Sequence, residues 1–320
     1  MTHLCTARIF FKEENMQFYG DSFFHIGQSH LTTGKPCQDY ALAEADTEVA
    51  YAMVADGCSS GERTDIGARI VALTTMTAMK QAEKKQTILF TEQFFPQVDA
   101  WREQALTATQ TLLGVTPLDL LATCISIMLT PGGGYVRIEG DGVAAIKYRT
   151  GAIRMFRFDW NNNMPFYPAY RTLGMQLFVR AHGGIAAEEC LREEVWLWDG
   201  IEQCVQEQVR MHSAQEGIAG IKLMLEAEEL VKEIACVAVF SDGVCQIDGV
   251  TWQDAVREFL AFKNMAGEFA KRRMIRGIKD LHKIGRGPMD DIAYAVIRVE
   301  TQQDEENHED GKYESALGRT

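Results

Sequence analysis

No stretch of this sequence approaches the ~18 consecutive apolar residues that argue for a membrane-spanning helix, so none is expected. Positive charge is also in short supply. Lys and Arg number 32 against 45 Asp and Glu, which leaves a formal net charge of −13. Such a surface repels a phosphate backbone unless a local basic stripe exists. The densest basic run, Lys271-Arg272-Arg273 with Arg276, reads as the wet face of a helix. The 8 cysteines form no CxxC pair and have no His-x-x-x-His company, so a structural zinc site has no support. Their scatter, with Cys124 and Cys236 inside apolar runs, is that of a reduced cytosolic chain. Neither a G-x-G-x-x-G after a strand nor a Walker A sequence is present, which removes two common nucleotide-binding motifs. The opening MTHLCTARIFFKEENMQ lacks a basic segment followed by an apolar one, so a secretory leader is not expected.

What is present is the balance of a soluble globular protein: 320 residues, 46% hydrophobic and 24% charged. At ~100–200 residues per domain, that length allows one large domain or two ordinary ones. Residues 17–29 read as a strand, 31–38 as a loop broken by Gly34 and Pro36, and 40–44 and 49–55 as two short strands. Ile66, Ile70, Val71, Met76 and Met79 predict a helix over 62–84; Val98, Trp101, Ala105, Leu106 and Leu112 predict another over 97–113. From Leu121 the texture is strand: LATCISIMLT, YVRIEG, VAAIKYR and AIRMFRF. Gly132-Gly133-Gly134 is a hairpin connection there, and the block reads as an antiparallel meander. Residues 160–190 read as a long loop, 201–233 and 252–283 as helical, and 235–240 and 292–299 as strands. Beyond Thr301, Asp304, Glu305, Glu306, Glu309, Asp310 and Glu314 outweigh Lys312 and Arg319, the composition of a disordered tail. Hairpins and paired helices, rather than alternating βαβα, argue for an α+β fold of antiparallel sheets covered by helices.

Three apolar strands end in Asp-Gly: AYAMVADG at Asp56-Gly57, YVRIEGDG at Asp141-Gly142 and CVAVFSDG at Asp242-Gly243. Asp290-Asp291 stands just before the last strand. Each can place a carboxylate at a sheet rim, and glycine lets the backbone turn tightly and bring its carbonyl close to an ion. Aspartates without His or Cys company suit hard cations such as Mg2+ and Mn2+. The same dipeptide is a favoured hairpin turn, and Asp141-Gly142 lies between two strands as a type I′ turn would. The pairs at Asp199, Asp248 and Asp310 read as ordinary turns or tail. Spacing alone does not separate Asp199 in VWLWDG from Asp242 in AVFSDG.

Order and flanks do. The segments GQSHLTTGKPCQDY, MVADGCSSGERTDIGARIVA, LATCISIML with IEGDGVAAI, VAVFSDGV and MDDIAYAVIRV follow one another along the chain. In this the sequence resembles the metal-dependent Ser/Thr protein phosphatases of type 2C, in their bacterial-type branch, over about residues 20–299. The resemblance implies a four-layer α-β-β-α sandwich of two antiparallel sheets flanked by helices. It implies a catalytic domain over 17–300, between an N-terminal extension (1–16) and an acidic disordered tail (301–320). It also implies hydrolysis of phosphoserine and phosphothreonine in proteins with two Mn2+ or Mg2+ ions and a third, weaker one in some members.

By position, the resemblance makes Asp56 the carboxylate that bridges two metals and Gly57 the donor of a backbone carbonyl. Asp242 and Asp290 become metal ligands, with Asp291 where Asn is common, and Asp39 the early acidic residue beside the metals' water. Asp39, Asp56, Asp242 and Asp290 are thus the candidate catalytic set, and Asp141 would share a third ion with Asp242. The family's phosphate-binding Arg is not evident upstream of Asp39; His30 and Lys35 are candidates, with solvated loop residues as the other reading. Cys58 stands where animal members carry a candidate general-acid His, but no His lies near it in sequence and no Cys-x5-Arg loop follows. A thiolate nucleophile is therefore not expected. His25 reads as a packed strand residue. Residues 160–190 fall where relatives carry a flap; Trp160, Phe166, Tyr167, Tyr170 and Arg171 either meet a phosphopeptide or pack on themselves.

The expected partners are a phosphorylated Ser/Thr protein and a cognate kinase, in the cytoplasm, with no nucleic acid and no membrane. Two other functions remain open at this level. A catalytically weak or inactive phosphatase-fold module would act by binding in a signalling system. A two-metal nuclease would need a basic groove that a net charge of −13 does not offer.

Overall fold

The computed structural model describes residues 16–85 and 93–301. The strands are β1 (Gln17–His25), β2 (Asp39–Ala45), β3 (Ala50–Asp56), β4 (Cys124–Thr130), β5 (Gly133–Glu139), β6 (Gly142–Tyr148), β7 (Ile153–Trp160), β8 (Leu191–Trp198), β9 (Cys204–His212), β10 (Ile221–Glu226), β11 (Ile234–Phe240) and β12 (Ile292–Glu300). The helices are α1 (Gln28–Thr33), α2 (Thr64–Lys85), α3 (Phe94–Leu113), α4 (Tyr170–Leu173), α5 (Gln176–Ala181), α6 (Ala214–Ala219), α7 (Ala227–Lys232), α8 (Trp252–Phe259) and α9 (Phe269–Lys283). One sheet has the order β1-β12-β11-β6-β7-β8-β9 and the other β10-β5-β4-β3-β2, with antiparallel pairing in both.

Burial explains why the central strands read as unbroken apolar runs. On β3, Ala50, Ala52 and Val54 lie in the core between the sheets, while Tyr51, Met53 and Ala55 pack with α2 and α3. On β11, Val237 and Val239 join the inter-sheet core, and Cys236, Ala238 and Phe240 pack with α8 and α9. A strand covered on both faces has no wet side and so loses the polar alternation. The layers are therefore helix, sheet, sheet, helix, the α+β sandwich anticipated.

Four local readings change. Residues 201–233 are not one helical segment but β9, α6, β10 and α7. Val205 and Val209 fall four apart, as on a helix, yet β9 is the outermost strand of its sheet, largely exposed and paired with β8. Ser213 and Glu216 then form a capping box that starts α6. The 160–190 segment contains α4 and α5 rather than only loop, and residues 28–33 are helical before the loop begins. The 252–283 stretch divides into α8 and α9.

A fifth change bears on function. The meander breaks at Asp141: β5 belongs to the five-stranded sheet and β6 to the seven-stranded one. Asp141-Gly142 is therefore a crossover between sheets, not a hairpin turn. The N-terminal extension and the acidic tail, apart from Met16 and Thr301, lie outside the described residues.

Candidate metal centre

Asp39 opens β2 and Asp56 ends β3, and the two are direct cross-strand partners. Asp141 precedes β6, Asp242 follows β11, and Asp290 precedes β12. These strand ends lie on one rim of the sandwich. Ser241 Oγ donates to Asp39 Oδ2 at 2.5 Å and accepts from the Ala293 N–H at 2.8 Å, tying β2 to β12. Gln246 Nε2 donates to Asp242 Oδ2 at 3.1 Å and to Asp290 Oδ2 at 3.3 Å. Thr123 Oγ1 accepts from the Asp56 N–H at 3.1 Å.

The glycines after these aspartates are demanded by neighbouring backbone. A Cβ on Gly57 would lie 2.6 Å from the Thr64 carbonyl oxygen, and one on Gly243 only 1.8 Å from that of Asp291. Gly142 has φ +131°, with the Phe240 carbonyl oxygen 2.6 Å from where its Cβ would be. By contrast, exposed Asp199 accepts from the N–H groups of Ile201, Glu202 and Gln203 in the turn between β8 and β9. The tertiary setting thus separates rim aspartates from turn aspartates with the same sequence signature.

Electrostatics show these carboxylates pressing on one another. Burial pushes Asp56 well above the usual carboxylate range, and the charges of Asp39, Asp242 and Asp141 push it further. Asp39 is raised by burial and then by Asp291 and Asp242, against the Ser241 hydrogen bond. Asp141 and Asp242 are raised by burial first, with Asp242 acting on Asp141 and Asp290 on Asp242. Buried like charges of this kind need protons or cations to compensate them. An all-oxygen donor set fits a hard divalent ion such as Mg2+ or Mn2+.

His30, Asp290 and Asp291 also bring one ligand atom each within 4.8 Å of one another. That group works as a clip instead. Asp291 accepts from the Gly27 N–H at 2.7 Å, the Gln38 N–H at 2.5 Å and His30 Nδ1 at 2.8 Å. With both its oxygens used, Asp291 fastens α1 and the following loop under β12. Asp290 Oδ1 accepts from the Asp291 N–H at 2.8 Å. His30 is buried against Asp291 and does not face solvent, whereas Lys35 is exposed, with Nζ 3.3 Å from the Ser59 carbonyl oxygen.

A family model described as Protein phosphatase 2C matches residues 26–277. The chain belongs to the protein phosphatase 2C family. Its fold is similar to that of a bacterial serine phosphatase, with a TM-score of 0.51 at 10% identity, covering 89% of this chain and 98% of that one. Stp1 from Staphylococcus aureus gives 0.50 at 10% identity, covering 88% and 95%. The catalytic domain of the serine/threonine phosphatase PstP, solved in complex with two manganese ions, gives 0.46 at 14% identity, covering 89% and 99%. No curated protein sequence matches the chain.

In this phosphatase 2C chain the flap region is packed down. Trp160 Nε1 donates to the Gly140 carbonyl at 2.9 Å, Phe166 and Tyr167 are buried, and Arg171 binds Glu139 at 3.1 Å. Its aromatic and cationic residues therefore pack on the protein instead of standing free for a phosphopeptide. Tyr167 still reaches the rim: burial raises its hydroxyl pKa, and Cys58, Asp56 and Asp141 beside it add to the shift. Cys58 Sγ lies 3.0 Å from Ser60 Oγ and beside the Tyr167 hydroxyl. Sequence reasoning missed Ser241, Gln246 and Arg157. Arg157 of β7, 3.0 Å from Asp159, pulls Asp141 downward. In AIRMFRF it had the look of an ordinary solvent-facing strand residue.

The raised carboxylates give a pH dependence with a definite sign. Their stabilising effect is complete below the unfolded value of about 4 and is lost as pH rises through their raised folded values. Metal-free protein should therefore lose stability as pH rises from about 5 to 8, and Mn2+ should restore it. The gain in Tm on adding Mn2+, measured by calorimetry, should be larger at pH 8 than at pH 5. Following the gain rather than Tm itself sets aside His25, whose burial lowers its pKa and tilts stability the opposite way. A gain independent of pH would refute a carboxylate-held ion.

Proposed function

We propose that this chain is a Mg2+- or Mn2+-dependent phosphatase of phosphoserine and phosphothreonine in proteins. The observation that carries the proposal is the mutually repelling set of buried Asp39 and Asp141 with half-buried Asp56 and Asp242, at one rim of a phosphatase 2C sandwich. Asp56, the Gly57 carbonyl, Asp242 and Asp290 would hold two ions, and Asp141 with Asp242 a third. Two bound divalent ions supply an activated water and neutralise the phosphoryl oxygens as charge moves to the leaving alkoxide. The chain's own contribution is positioning. Asp39, oriented by the hydroxyl that Ser241 donates to its Oδ2, would hold or accept a proton at its other carboxylate oxygen. Gln246 keeps Asp242 and Asp290 facing the same space. The Asp291–His30 clip fixes the backbone ahead of Asp39. Lys35, beside the Ser59 carbonyl, remains the candidate for contact with the substrate phosphate. Residues 17–300 would form the catalytic domain, and a kinase that phosphorylates the same protein would be its natural opponent.

Hydrolysis of p-nitrophenyl phosphate and of a phosphothreonine peptide should require Mn2+ or Mg2+ and stop in EDTA. Cys58→Ser should stay within a few-fold of the parent, because the nucleophile is water and not a thiolate. Activity that persists in EDTA refutes the metal mechanism. Tight Mn2+ binding without turnover would favour the inactive binding module, and cleavage of DNA by the same preparation would favour the nuclease.

A further inference from the structure

A groove of about 510 Å3 runs between α9 and the segment joining it to α8. None of the candidate metal-centre residues lines it. Its charged lining is almost wholly cationic, in a chain whose net charge is −13. Several nearby cations are already neutralised: Arg273 by Glu258, Lys283 by Asp280, and Lys271 by Glu268. Lys263, Arg272, Arg276 and Lys279 form no ion pair among the described residues. Arg272 is held in place by Nη2 bonds to the Asn264 and Ala266 carbonyls, at 3.2 and 2.6 Å, which leave its charge uncompensated. The support is firm, since Asp21 Oδ2 accepts from the Ala270 and Lys271 N–H groups at the start of α9.

We propose that this groove is a docking surface for a short acidic segment of a partner protein. Arg272, Arg276 and Lys279 recur at i, i+4 and i+7, so they share one face, with axial steps of about 6 and 4.5 Å. An extended peptide presents alternate side chains ~6.6–6.8 Å apart, close enough for acidic residues at every second position to meet successive cations. Half-buried Phe262 and Ile275 in the lining offer an apolar contact to a residue between them. The strongly negative remainder of the molecule selects against long polyanions. A duplex or an anionic membrane would extend past the groove into repulsive surface, whereas a short segment feels chiefly the charges within a Debye length of ~8 Å.

The test is independent of the phosphatase reading, because it measures binding without turnover. Full-length protein is titrated against a labelled twelve-residue peptide with Glu at alternate positions and a central Leu, beside the same peptide with Gln for Glu. Fluorescence anisotropy is read in 50 and 300 mM NaCl. The Glu peptide should bind about tenfold or more tighter than the Gln peptide, and its advantage should shrink at the higher salt. The R276E/K279E variant should lose about tenfold in affinity for it while hydrolysing p-nitrophenyl phosphate as the parent does. K283E, which alters a cation already paired with Asp280, should lose much less. Equal binding of the two peptides, or undiminished binding by R276E/K279E, overturns the proposal. So does tighter binding of duplex DNA or phosphatidylserine vesicles than of the peptide. Binding that emerges only when residues 302–320 are removed also overturns it, since the chain's own carboxylates would then occupy the groove.

Discussion

Asp56→Asn should reduce Mn2+-dependent phosphoester turnover by at least ~10^2–10^3-fold, the scale of losing one group that stabilises developing charge. The same change should make the metal-free protein more stable. Asp56 is half-buried beside Asp39, Asp242 and Asp141, and each of those charges raises its pKa. Replacing a carboxylate with a neutral amide of the same shape relieves that repulsion. It also takes away the charge that draws cations into the rim. Activity and stability in EDTA are thus expected to move in opposite directions, which separates a ligand role from general damage to the fold. Calorimetry in EDTA and in Mn2+ reads the stability arm, with initial rates reading the other. A variant that is both inactive and less stable in EDTA would show Asp56 to be structural. One that turns over normally would remove it from the site.

The second large effect is expected away from the rim. Glu139, at the end of β5, is 1% exposed and receives two bonds from Arg102, at 2.6 and 2.8 Å. Arg171 reaches it at 3.1 Å and Arg137 at 3.3 Å. Asp99 of α3 shares the load by binding both oxygens to Arg137, at 2.7 and 2.9 Å. Burial alone would raise the Glu139 pKa, but Arg102 and Arg137 more than reverse it and hold the carboxyl well below the usual range. Removing one partner of a buried ionic network leaves uncompensated charge and typically costs ~3–5 kcal/mol. Glu139→Ala should therefore lower the urea-unfolding free energy by about that much, and Glu139→Gln by clearly less because two hydrogen bonds can remain. Glu139 is two residues before Asp141, and Arg171 ties α4 of the flap to it. Weakened Mn2+ dependence should accompany the loss of stability. A change under ~1 kcal/mol for Glu139→Ala would show that the arginines find other partners.

The sequence by itself determined that antiparallel sheets are covered by helices, and its family resemblance implied the four layers and singled out the rim aspartates. Strands such as AYAMVAD and CVAVF, apolar on both faces, call for a covering layer on each side, and the family resemblance implied which layers these are. The motifs around Asp56, Asp242 and Asp290 are local signals, each contained in a few consecutive residues. Tertiary structure alone decided what depends on residues far apart in the chain. Asp141 could be a hairpin turn or a rim carboxylate until β5 and β6 were found in different sheets. Nothing in MDD says that Asp291 fastens Gly27, His30 and Gln38, more than 250 residues away. His30 therefore could not be told from a solvated loop residue. The Arg102–Glu139–Arg171 network joins three separate segments, and no periodicity in any of them announces it. The β9 segment was misread for a related reason: two valines four apart satisfy either period, and only its pairing with β8 selects the strand. Short-range pattern fixes what each segment can bury, while long-range pairing of charges and strands fixes which alternative it takes.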